Sequence, residues 1–136
     1  EAIYSNIFGN YSELEDLHLD TEISSLVERI RDQVLATYVV DAPDPSRELA
    51  RRVLIFVNEV TNQAVNAKAL RLHLDVRRDG QHIVIKSELN LPPTWLSQYP
   101  ISQDVFDVVT KRRWKIEGTQ SGSTITGVIE ELPKLA

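Results

Sequence analysis

The sequence predicts an α+β fold: a two-layer sandwich with one mostly antiparallel sheet and helices on a single face. Three observations predict it. Apolar residues recur at helical spacing over residues 22–37 and 45–66. Alternating apolar and polar residues flank an Asp79-Gly80 turn, a strong hairpin signal. The order is helix, short strand, long helix, strand, strand, loop, helix, strand, strand, so helices interleave with hairpins rather than with parallel strands.

Residues 1–20 carry Ile3, Tyr4, Ile7, Phe8 and Tyr11 without a clear period, followed by acidic Glu13, Glu15 and Asp16. So many large apolar residues need burial, on this domain or on a second subunit. Tyr4 and Phe8 are therefore candidate contact residues. Residues 22–37 read as the first helix, with Ile23, Leu26, Val27, Ile30, Val34 and Leu35 at three- and four-residue spacing and Asp20 or Thr21 as cap. Tyr38-Val39-Val40 reads as a short strand. Asp44-Pro45 then opens the long helix, with aspartate as cap and proline where a missing N–H is harmless. Leu49, Val53, Phe56, Val57, Val60 and Ala64 form its apolar stripe.

Leu70, Leu72, Leu74 and Val76 alternate with Arg71, His73 and Asp75, and Ile83 and Ile85 lie on one face of the return strand. Leu91-Pro92-Pro93 ends that strand, and residues 92–101 read as a loop containing Trp95 and Tyr99. Ser102 is placed to cap a helix over 103–113, with Ile101 and Phe106 as a hydrophobic staple and Lys111-Arg112-Arg113 in its last turn. Residues 114–117 and 124–132 form a final hairpin. With no repeats and no linker, one domain is expected over 1–136: an arm (1–20), a helix and short strand (21–44) and a core (45–132).

Composition narrows the function. The chain of 136 residues has 15 Lys and Arg against 20 Asp and Glu, a formal charge of −5, which disfavours nonspecific binding to nucleic acid or anionic lipid. No cysteine is present, so thiolate metal sites and a cysteine nucleophile are excluded. No apolar run reaches the ~18 residues of a membrane span, and residues 1–4 do not resemble a signal peptide; a cytoplasmic protein is expected. There is no methionine, even at position 1, so the chain is expected to be a piece of a longer protein. His73 and His82 have the placement to approach each other across the hairpin, but no third zinc ligand is evident, so no metal site is assigned.

The stretch Asn58-Glu59-Val60-Thr61-Asn62-Gln63 resembles the nucleotide-binding helix of the GHKL superfamily. That superfamily includes sensor histidine kinase catalytic domains and bacterial anti-sigma-factor kinases. In it a glutamate is followed four residues later by a Mg²⁺-binding asparagine. Asn62 falls on that asparagine and Asn58 on the glutamate; Glu59 comes one position late, rotated ~100° around the helix. The order strand, Asp-Gly hairpin, strand, helix, and the ending Gly122-Ser123-Thr124-Ile125-Thr126, also fit, over roughly residues 45–132. The family's Asp-x-Gly-x-Gly turn is replaced by Leu89-Asn90-Leu91-Pro92-Pro93. Its glycine-rich lid is replaced by Thr94-Trp95-Leu96-Ser97-Gln98-Tyr99-Pro100.

These departures lead to the expectation of a non-catalytic GHKL-like domain, without a cofactor. It would act by protein contact in bacterial signalling or transcription control, with homodimerisation through residues 1–37. Asn58, Glu59, Asn62 and Asn66 form the relict nucleotide or ligand site; a merely solvated polar face is the plainer reading. Trp95 and Tyr99 serve either as a partner contact or as a plug on the sheet. The alternative is a nucleotide- or small-ligand-binding sensor or enzyme, taking ATP and Mg²⁺ in a pocket between helix 45–66 and the sheet. A structural subunit of a larger assembly is the third reading.

Overall fold

The computed structural model describes residues 18–131. Its elements are α1 (Leu19–Glu28), β1 (Leu35–Asp41), α2 (Arg47–Asn66), β2 (Arg71–Asp79), β3 (His82–Leu89), a 3-10 helix (Pro93–Gln98), α3 (Pro100–Thr110), β4 (Trp114–Thr119) and β5 (Gly122–Glu130). The arm with Tyr4 and Phe8 lies outside the described residues.

The five strands form one sheet in the order β1-β2-β3-β5-β4. Every second residue of β2, β3 and β5 is buried, which sets one sheet face against the helices. The three helices cover that face, with α2 packed between α1 and α3. The expected two-layer sandwich with helices on one face is what the chain forms. The sheet is mixed, however, because β1 pairs with β2 in parallel while the other pairs are antiparallel. The cause is α2: a long helical crossover returns the chain to the end it left, so the next strand runs the same way.

Local boundaries differ from the expectation for identifiable reasons. The first helix stops at Glu28, not at residue 37. The bonds Ile30 N→Val27 O, Gln33 N→Ile30 O and Val34 N→Ile30 O form successive tight turns. These turns keep Ile30 and Val34 buried at helix-like spacing without a helix. Leu35 therefore belongs to β1. Asp44 has φ +50° and lies outside α2; the cap is Ser46, whose Oγ accepts from Leu49 N at 3.1 Å. The third helix begins at Pro100, so Ser102 is inside it and buried. Ile101 is 69% exposed and staples nothing. Lys111 (φ +53°) and Arg112 (φ +67°) turn away beyond the helix end rather than completing its last turn.

The core lies between α2 and the sheet. Phe56, Leu74, Ile85, Phe106 and Ile125 are fully buried, each contributing about 1.5–3 kcal/mol of apolar burial. The Phe56 and Phe106 rings are 4.6 Å apart, and Phe106 meets Trp114 at 5.4 Å. Gly127 on β5 makes this possible: a Cβ there would stand 2.6 Å from Phe56 Cε2.

Candidate functional site

The C-terminal half of α2 is polar on two flanks because it has a helix on each side. Residues 53–61 are all buried, so Asn58, Glu59 and Thr61 must satisfy their polar atoms inside the protein. Asn58 Oδ1 accepts from Arg29 Nη2 at 2.9 Å, which ties the end of α1 to α2. Thr61 donates its hydroxyl to Asn58 O at 2.9 Å. Glu59 is 3% exposed. Its Oε2 accepts from Ser102 Oγ at 3.1 Å and from Gln63 Nε2 at 3.3 Å. Gln63 Oε1 in turn accepts from Asn66 Nδ2 at 3.0 Å.

A cleft of about 350 Å³ opens beside this array, lined by Arg29, Ile30, Gln33, Glu59, Asn62, Gln63, Val65 and Asn66. Three of the four residues read from the sequence as a site therefore share one cleft, and Asn58 holds Arg29 at its edge. The cleft lies between the end of α1 and α2, not between the helix and the sheet as expected. The space between α2 and α3 is bridged by the Ser102–Glu59 bond. Trp95, 6% exposed, packs into the core and donates Nε1–H to Ser123 Oγ at 3.2 Å. Tyr99 is half-buried against it, the rings 5.6 Å apart.

Arg29 and Gln33 were not found by sequence reasoning. They sit in the turns after α1, and only packing brings them to Asn62. Ser102 read as a cap, because a serine before an apolar run carries that signal equally well. His73 and His82 do not approach each other: His73 faces Glu88 and His82 faces Asp79 at the other end of the hairpin. Among the described residues no group of three or more His, Asp or Glu is placed to hold a metal on protein ligands alone.

The strand order, the single helical face and the central α2 form the α+β sandwich of the Bergerat type. Solved structures carry the same fold. The histidine kinase domain of the Erythrobacter litoralis EL346 blue-light-activated kinase matches 94% of this chain and 70% of its own, at 13% identity and TM-score 0.65. The catalytic domain of the histidine kinase ThkA, in a nucleotide-free form, matches 87% of this chain and 96% of its own, at 12% identity and TM-score 0.59. Full-length ShkA in complex with AMPPNP matches over 93% of this chain and 34% of its own, at 10% identity and TM-score 0.64. No protein-family model and no curated protein sequence matches the chain.

These structures correct two expectations, that the chain is not an enzyme and that it takes no cofactor. Both rested on missing motif strings. The matched folds are those of histidine kinases, one solved with a nucleotide analogue.

Proposed function

We propose that this chain is a nucleotide-binding domain of the histidine-kinase type, working in signalling with a protein partner. The observation that carries the reading is the polar cleft beside α2, into which Asn62, Gln63, Asn66 and Arg29 open. The residues suit a phosphate-borne Mg²⁺ better than a free ion. Mg²⁺ keeps several waters and binds through one or two protein oxygens plus substrate phosphates. Asn62 and Asn66 offer amide oxygens, while Glu59 already accepts two hydrogen bonds at the cleft wall.

When bound, Mg·ATP would supply the transferable γ-phosphoryl group. The chain's own residues would bind and orient it. Arg29 would meet phosphate oxygens with charge-assisted hydrogen bonds, the strong kind. Its tie to Asn58 limits the freedom lost on binding. Glu59, fixed by Ser102 and Gln63, would keep α2 and α3 in register around the site.

Calorimetric titration with Mg·ATP and Mg·ADP tests this. Saturable binding at or tighter than about 100 μM is expected, weakened at least about tenfold by Asn62→Ala. Absence of heat at that level, or identical binding by the variant, would overturn the reading.

A further inference from the structure

On the sheet face opposite the helices, which no described helix covers, a second cleft of about 330 Å³ lies at the end where β1 and β2 begin and β3 ends. Register builds it. Thr37, His73 and Glu88 stand in one row across β1, β2 and β3, each directly opposite the next. Arg71 precedes His73 on the same face by one pleat, and so lies diagonal to Glu88. Thr37 Oγ1 and His73 Nδ1 are hydrogen-bonded at 2.7 Å, which fixes the ring toward β1. The base of the cleft is rigid, because Asn90 Oδ1 accepts from both Leu70 N (2.8 Å) and Arg71 N (3.0 Å).

Two charges in this cleft have no ion-pair partner among the described residues, as is also true of Lys86 and Asp79 elsewhere on the hairpin. On the same face one pleat further along, Arg77 pairs with Asp75 at 2.8 Å, and on β4 Lys115 pairs with Glu117 at 3.1 Å. Among the described residues, Arg71 and Glu88 form no ion pair, with each other or with anything else. A cation and an anion thus line one cleft without forming an ion pair with each other. Beside them Leu35 is 67% and Leu70 is 70% exposed.

We propose that this cleft binds the zwitterion of a small apolar amino acid, with its carboxylate on Arg71, its ammonium on Glu88 and its side chain against Leu35. A zwitterion supplies both missing counter-charges at once. A guanidinium fork matches a carboxylate, and a carboxylate accepts from an ammonium. The Thr37 hydroxyl and the His73 ring add polar contacts, and the volume is in the range of small-molecule sites. The proposal is independent of the nucleotide cleft and involves none of its residues.

The test is a ¹⁵N–¹H NMR titration of the full chain with L-leucine, N-acetyl-L-leucine and L-leucine methyl ester. The last two lack the ammonium charge and the carboxylate respectively. Saturable shifts at Thr37, His73, Glu88 and Asn90 are expected with L-leucine, and binding at least about tenfold weaker with either derivative. Arg71→Gln and Glu88→Gln should each weaken L-leucine binding to a similar degree. Both residues are exposed, so both variants should fold normally. Equal binding of N-acetyl-L-leucine would reduce the cleft to a simple anion site and overturn the proposal. So would unchanged binding by both variants, or the absence of shifts up to ~20 mM ligand.

Discussion

Ser102 donates its hydroxyl proton to the buried carboxylate of Glu59 across 3.1 Å, joining α3 to α2. A carboxylate that is 3% exposed needs its hydrogen bonds from protein. Ser102→Ala would leave only the Gln63 bond, at 3.3 Å. We expect a stability loss of about 1–3 kcal/mol in urea denaturation, the cost of under-satisfying a buried polar group. A loss below about 0.5 kcal/mol would mean that water reaches Glu59 and that the α2–α3 seam is open.

Gly127 is required by Phe56. A methyl group at 127 would sit 2.6 Å from Cε2 and 2.8 Å from Cζ of the ring. The ring cannot retreat freely, because Phe106 lies 4.6 Å away and is itself held against Trp114. Gly127→Ala is predicted to destabilise by about 1–3 kcal/mol through overpacking. Phe56→Leu in the same chain should recover part of that loss, a coupling that a double-mutant cycle reads directly. Strictly additive effects would refute the steric account.

Much of this fold is legible in the sequence where one periodicity governs. The α2 stripe from Leu49 to Ala64 is buried throughout, and the alternation in β2 and β3 sets their inward faces. Legibility fails where turns imitate a period. Ile30 and Val34 keep helical spacing in a chain that has left the helix. The site divides in the same way. Glu59 and Asn62 stand out because both lie in one recognisable string. Arg29 and Ser102 reach that string only through tertiary packing, and no local pattern marks either one. Trp95 is similar: its Pro-rich loop suits a contact surface and a plug on the sheet equally well, and only the 3-10 helix shows the indole carried into the core.

Arg29 has two connected roles, and a substitution should separate them. Its Nη2 donates to Asn58 Oδ1 at 2.9 Å, and its side chain lines the cleft of α1 and α2. Arg29→Gln should weaken Mg·ATP binding by about tenfold through loss of a charge-assisted bond. Arg29→Lys keeps the charge but not the planar fork, so it should recover binding only in part. Titration of the three proteins decides. Equal affinities would remove Arg29 from the ligand site and leave it as a tie between helices. Asn58→Ala would then serve as the control for that tie, since it breaks the bond without changing charge.

Glu131 links three separate parts of the chain. Its carboxylate pairs with Arg78. It also accepts from Ser46 N at 3.2 Å, at the start of α2, while Arg78 reaches Asp44 O at 3.2 Å in the preceding loop. Burial alone would raise the Glu131 pKa. The Arg78 charge and the hydrogen bonds from Arg78 and Ser46 outweigh it and hold the carboxyl below its ordinary value. The sign for stability follows from the lowered value. Above the ordinary glutamate pKa, carboxylate is present in both folded and unfolded chains, and the full stabilisation is felt. As pH falls through the lowered folded value, the native chain must take up the proton and the contribution disappears. Glu131 is 24% exposed, so solvent screening keeps the effect modest. Thermal unfolding measured from neutral pH downward should show Tm of the parent chain falling toward that of Glu131→Gln. The two should converge below the ordinary glutamate range and stay apart above it. A constant difference in Tm across that range would show that Glu131 acts by packing and hydrogen bonding alone, without its charge.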